Sequence, residues 1–149
     1  MGLDLILYRK NKKLKDMSLE EELDSELAYG RKTWAIAGFF TRRCKMLRDD
    51  WLYEVTKSDW DAFIKAIDKL NDPNFREKVE LFVFLKDNSE HMETYEELEE
   101  WLDGALGNDS VYQLGLEWEL AALLRWFDAD SEVQQAFKDG APVELVQSY

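Results

Sequence analysis

The sequence predicts a helix-rich α+β fold: one compact domain over residues 1–149 with about five or six helices and two or three short strands. Three observations lead there. Apolar alternation is confined to short windows, one at Leu3–Tyr8 and one at Trp51–Thr56. Most other apolar residues recur at helical spacing. No internal repeat, low-complexity tract or interdomain linker divides the chain.

Leu3, Leu5 and Leu7 alternate with Asp4, Ile6 and Tyr8, so residues 3–9 are expected as a strand. The basic run Arg9-Lys10-Asn11-Lys12-Lys13 follows as a polar turn or loop. Ser18 with Glu21 forms a capping box and predicts a short helix to about Leu27. After Gly30, the recurrence of Trp34, Ile36, Ala37, Phe40, Cys44 and Leu47 predicts an amphipathic helix over about 31–47. Arg31, Lys32, Arg42, Arg43 and Lys45 would face solvent on it. Trp51, Tyr53 and Val55 alternate with Leu52, Glu54 and Thr56 and predict a second strand.

Ser58 is the expected cap of a helix running through Leu70, with Asp59 and Asp61 near its positive end and Trp60, Phe63, Ile64 and Ile67 inward. Asn71-Asp72-Pro73 breaks the chain, with Asp72 as cap and Pro73 as first helical residue. The nearly continuous apolar run Val79–Leu85 suits a buried strand or a helix end equally, and periodicity does not decide. Thr94 with Glu97 is a further capping box, opening a helix from Tyr95 to about Leu106 that stops at Gly107-Asn108-Asp109. Val111–Phe127 carries a helical stripe of Leu114, Trp118, Ala121, Ala122 and Arg125. A last short helix, Ser131–Lys138, ends at Gly140 with Pro142 beyond it.

With 46 % hydrophobic residues, six Trp, six Tyr and eight Phe, the chain is not a disordered acidic tail and should bury one sizeable core. No run of about eighteen apolar residues exists, so no membrane span is expected. The short apolar stretch near the N-terminus precedes its Lys/Arg, the reverse of a secretory signal. Met1-Gly2 raises N-myristoylation, but Ile6 stands where that motif needs Ser or Thr. The single Cys44 allows no internal disulfide and fits a reducing compartment, so the expected location is cytoplasmic.

Catalytic and metal signatures are weak. The only His, His91, and the only Cys, Cys44, would have to pair for nucleophilic chemistry, and Cys44 lies on the apolar side of its expected helix. Four Cys/His ligands for structural zinc are absent, and no glycine loop of the phosphate-cradling kind occurs. Asp128-Ala129-Asp130-Ser131-Glu132, with Asp139 in twelfth place, looks like a calcium loop. Val133 replaces its turn glycine and Asp139 its bidentate Glu, so an N-cap at Asp130 or Ser131 explains these residues better. No cofactor, metal or catalytic residue is expected.

Charge is the informative feature. Residues 1–48 hold eleven Lys/Arg against seven Asp/Glu, a net of +4. Residues 87–149 hold sixteen Asp/Glu against Arg125 and Lys138, a net of −14. Such a load weakens a compact state by self-repulsion and reads as use against a basic partner, with solubility alone as the alternative. Glu96, Glu97, Glu100 and Asp103 fall three or four positions apart on one helical face, and Glu93 and Glu99 extend the array. Like charges alone occupy that face, with no Lys four positions away. The macrodipole accounts for Glu96 and Glu97 at a helix start, but not for Glu100 and Asp103. The expected partner-binding set is therefore Asp87, Glu90, Glu93, Glu96, Glu97, Glu100 and Asp103, with Tyr95 and Trp101 as aromatic anchors.

The basic third offers a patch of Arg31, Lys32, Arg42, Arg43, Lys45 and Arg48 with Trp34 and Phe39 interleaved. The net charge of −13 opposes direct nucleic-acid binding, and pairing with the acidic face of a second copy, as in a homodimer, is an alternative use.

Met1-Gly2-Leu3-Asp4-Leu5-Ile6-Leu7-Tyr8, together with Tyr29-Gly30-Arg31-Lys32-Thr33-Trp34 and the aromatics Phe39 and Phe40, resembles a loose group of small proteins encoded by bacteriophages and prophages. That group opens with Met-Gly-Leu-Asp before an alternating strand and carries a Tyr-Trp-Arg-Lys helix. Here Gly30 stands at the Trp position and Ala37 near the expected His. The resemblance implies a phage setting, in which small acidic proteins often inhibit host defence, including CRISPR effectors and restriction enzymes. Charge and setting together lead to a non-enzymatic inhibitor that occupies the basic nucleic-acid-binding surface of a host nuclease, in effect a DNA mimic. The alternatives are an immunity or antitoxin protein blocking a basic toxin, and a carboxylate- or metal-dependent enzyme.

Overall fold

A computed structural model describes residues 3–10, 25–48, 51–84, 91–107 and 115–148, with the backbone alone for residues 91 and 92. The fold is α+β. Strands β1 (Asp4–Arg9), β2 (Ser25–Arg31), β3 (Lys45–Arg48), β4 (Leu52–Val55) and β5 (Val143–Ser148) form one antiparallel sheet in the order β2-β1-β5-β4-β3. Around it are α1 (Trp34–Arg43), α2 (Lys57–Ala66), α3 (Pro73–Phe84), α4 (His91–Leu106), α5 (Leu116–Asp128) and α6 (Asp130–Lys138). Among the described residues five strands replace the two or three expected.

The expected strands at 3–9 and 51–56 are present as β1 and β4. Both border β5, a strand that no alternation in the sequence singles out. Leu7 pairs with Leu145, and Tyr53 pairs with the same residue from the other side. Val143 and Leu145 are buried while Glu144 and Val146 are half-buried, the period-two pattern of a sheet with one core face. The last residues of the chain thus join the two strands legible in the sequence.

Two expected helices give way to strand pairing. Residues 25–27, expected to finish a helix, belong to β2, where Glu26 pairs with Tyr8 and Ala28 with Leu7. The Ser18/Glu21 box and the Lys12-Lys13 loop lie outside the described residues. The helix expected over 31–47 spans only 34–43. Cys44 turns the backbone extended at φ −87° and ψ 152°, and Lys45 and Met46 then pair with Glu54 and Tyr53. Ladder hydrogen bonds to β4 outweigh one more turn of a marginal amphipathic helix.

Caps shift as well. Thr56, not Ser58, caps α2: its hydroxyl accepts the Asp59 N–H at 3.2 Å, and Asp59 Oδ2 accepts the Thr56 N–H at 3.1 Å. That helix ends at Ala66, and a 3-10 turn at Asp68–Asn71 replaces its expected last turn. Asp72 and Pro73 behave as expected, with Asp72 Oδ1 accepting the Asn74 N–H at 2.9 Å. The ambiguous run 79–84 is the end of helix α3; Leu85 lies outside the described residues. Helix α4 begins at His91, so Thr94 sits inside it and is not its cap. Helix α5 begins at Leu116, and 111–114 lie outside the described residues. Ala129, which offers no side-chain cap, precedes α6 in place of the expected Asp130 or Ser131.

The core lies between the sheet and the helices. Leu3, just before β1, and Leu5 and Leu7 within it share one core with an aromatic cluster of Phe40, Trp60, Phe63 and Trp126, whose ring centroids lie 4.9–6.4 Å apart. Helix α5 lies against β2 at Gly30, where an added Cβ would stand 2.6 Å from Thr33 Cγ2 and 3.1 Å from Ala122 Cβ. The glycine permits that close approach. Trp60 Nε1–H donates to Asp130 Oδ1 at 2.7 Å and locks α6 to α2.

Candidate functional site

Helix α4 is amphipathic and its two halves divide cleanly. Leu98, Leu102 and Leu106 are buried, spaced four apart on the core side. Glu93, Glu96, Glu97 and Glu100 are exposed on the opposite side. Glu99 and Asp103 are half-buried along one border. The expected array is therefore a real surface row, running through about 10 Å between Glu93 and Glu100 at helical rise. Asp87 and Glu90, expected to extend it, lie outside the described residues.

Electrostatics along the row are uneven. Lys78 of α3 reaches across to Glu97, with Nζ at 2.9 Å from Oε1 and 3.1 Å from Oε2. Sequence spacing along α4 gives no sign of this cation, which comes from the neighbouring helix. Among the described residues no cation pairs with Glu93, Glu96 or Glu100. Burial, reinforced by the Glu99 carboxylate, pushes the Asp103 carboxyl above its ordinary range. Asp103 thus meets a like charge at the edge of the row.

The two aromatic anchors occupy the inner border of the helix. Trp101 is half-buried and packs edge-on against Phe75, with centroids 4.8 Å apart. Tyr95 is half-buried against Phe82 at 6.1 Å, and burial followed by a hydrogen bond to Glu99 raises its phenol pKa. Both rings hold α3 to α4. At the far end Arg42 of α1 donates to the Leu106 carbonyl, a cation on the negative end of the helix dipole. Gly107 ends the helix at φ +101°, and a Cβ there would stand 2.5 Å from Arg42 Nη2.

The cations of the basic third lie before α1, at its end and on β3. Arg31 and Lys32 precede α1 and both lie over the Trp118 ring, each 5.6 Å from its centroid. Arg42 and Arg43 close the far end of that helix, about 14 Å of helical rise from its start. Phe39, expected on the surface between cations, is buried with the Arg43 guanidinium 5.3 Å above its ring. Trp34 is half-buried against the core.

Groups that could have supported other chemistry are engaged structurally. Asp128 holds Arg76 through two hydrogen bonds of 2.7 Å, Asp130 accepts from Trp60 and Gln134, and Asp139 accepts from Arg9 at 2.8 Å. The resemblance to a calcium loop dissolves into a helix junction tied to three other elements. Among the described residues no group of three or more His, Cys, Asp or Glu is placed to hold a metal ion. Burial, with the Asp59 carboxylate nearby, pushes the Cys44 thiol up to about 12, opposite to an activated nucleophile. The His91 side chain lies outside the described residues. Among the described residues no helix is long and apolar enough to cross a membrane. No family model, curated protein or solved structure matches this chain.

Proposed function

We propose that this protein is a non-enzymatic binding protein whose α4 carboxylate row occupies a basic surface on a nucleic-acid-handling partner. The setting suggested by its sequence resemblance makes that partner a host defence nuclease, such as a CRISPR effector, and the protein a phage-encoded inhibitor. The observation that carries the reading is the exposure of Glu93, Glu96 and Glu100 on one side of a helix, with no cation paired to them among the described residues. Concentrating like charge on a helix destabilises it by a few tenths of a kcal/mol per pair. A cationic groove built for phosphates gains most from such a row, because Coulomb attraction strengthens where water is excluded.

The test is affinity capture from bacterial lysate at low and high salt, with excess duplex DNA as competitor. The reading expects a basic nucleic-acid-binding protein that is retained at low salt and displaced by salt or by DNA. The Glu93→Lys/Glu96→Lys/Glu100→Lys protein, folded by circular dichroism, should not retain it. Equal retention by that variant would exclude the carboxylate row as the contact.

A further inference from the structure

On α3, the helix packed against α4, two apolar side chains take no part in the core. Phe84 is 74 % exposed, more than any other large hydrophobic among the described residues, and Leu81 is 50 % exposed. Helices α3 and α4 run antiparallel in a register set by three contacts: Phe75 with Trp101, Lys78 with Glu97, and Phe82 with Tyr95. Continued by two residues, that register brings Phe84 of α3 level with Glu93. At about 100° per residue, Leu81 lies roughly 60° round α3 from Lys78 and Phe84 roughly 120°, both away from the buried Val79 and Phe82. An apolar pair thus lies on the exposed side of α3, next to the helix that carries the acidic row.

Exposed apolar residues scattered singly are ordinary. These two sit within one helical turn of each other, next to a helix whose Glu93, Glu96 and Glu100 have no paired cation among the described residues. We propose that Leu81 and Phe84 are the desolvated centre of the docking face, with Glu93, Glu96 and Glu100 as its charged rim, and that its occupant is a basic amphipathic helix of the partner protein. The assignment rests on the α4 row being a docking surface. Glu93, Glu96 and Glu100 stand at i, i+3 and i+7, so Lys or Arg at that spacing on one side of a partner helix meets all three. The apolar side of that helix then covers Leu81 and Phe84. A second copy of this chain does not match: no described helix carries more than two Lys/Arg, and the −13 net charge repels copies.

The probe is a synthetic amphipathic helix with a leucine stripe flanked by lysines at i, i+3 and i+7, compared by calorimetry with a helix of the same lysines lacking leucine. The full chain should prefer the leucine-bearing helix by about tenfold, and Leu81→Ser/Phe84→Ser should abolish that preference while keeping its circular dichroism spectrum. Equal binding of both peptides, or an unchanged preference in the double variant, overturns the apolar centre. The Glu93→Gln/Glu96→Gln/Glu100→Gln protein separates the two ideas. Loss of affinity there with an unchanged double variant leaves the acidic row standing and removes the apolar centre; the reverse pattern removes the electrostatic reading. Self-association in sedimentation, lost in the Leu81/Phe84 variant, would make a second copy the occupant and overturn the basic-helix assignment.

Discussion

The fully buried carboxylate of Glu119, in the first turn of α5, accepts the backbone N–H of Ala35 in the first turn of α1. Thr33, the residue preceding α1, makes no side-chain cap, so the acceptor for that helix start comes from a residue 84 positions away. A helix N-terminus carries partial positive charge and unsatisfied N–H groups, and a buried carboxylate answers both. Removal of Glu119 should strand Ala35 N–H and leave a cavity. Glu119→Ala is expected to lower stability by about 2–4 kcal/mol in urea unfolding. Glu119→Gln keeps an acceptor and should cost less.

The bidentate pair between Arg76 and Asp128 ties α3 to α5, and Arg76 also holds Glu80 at 2.7 Å. Both partners are partly exposed, so solvent screens the pair. Asp128→Asn should lower stability by only about 0.5–1 kcal/mol, diminishing with added salt. Arg76→Lys should be equally harmful, because an ammonium cannot reproduce the planar fork. Thermal melts at two ionic strengths check both expectations.

Acid should act on the fold with two signs. Asp61, Asp128 and Asp139 are held below the ordinary carboxylate range, first by hydrogen bonds from Lys57, Arg76 and Arg9 respectively. A depressed folded-state pKa gives stability that is present above the unfolded value of about 3.9 and lost as pH falls through the folded value. Asp103 is the opposite case: its raised pKa gives stability that is full below the unfolded value and lost as pH rises through the folded one. Asp103→Asn should therefore raise stability at neutral pH and do little below about pH 3.9. A series of urea melts across that interval measures the crossover, and equal effects at both ends would contradict the assignment.

Cys44 should be a poor nucleophile while the protein is folded. With its thiol pushed up to about 12, alkylation by iodoacetamide at pH 8 is expected to be slow in buffer and to accelerate by more than tenfold in urea, where the thiol returns to about 8.5. Fast labelling of the native protein would refute the half-buried environment of Cys44, the residue that follows α1.

Local chemistry decided much of this molecule. The alternation of Leu3, Leu5 and Leu7 and of Tyr53 and Val55 is a property of a few neighbouring residues, and both segments are strands. The Asp72-Pro73 start and the leucine stripe of α4 are likewise local, and spacing alone puts Glu96, Glu97 and Glu100 on one exposed face, whereas Asp103, expected with them, is half-buried. Partnership across the chain decided the rest. Residues 25–27 and 45–48 carry helix-compatible sequence, yet β1 and β4 recruit them as strands because ladder hydrogen bonds form only once the sheet exists. The Val143–Ser148 strand takes its central place from neighbours at opposite ends of the sequence. The same holds for the site. Lys78 neutralises Glu97, Tyr95 and Trp101 turn inward toward α3, and Phe84 is left outside. Periodicity along one helix reports which side faces out, and only the packing of two helices determines which charges remain unmatched and which apolar groups remain uncovered.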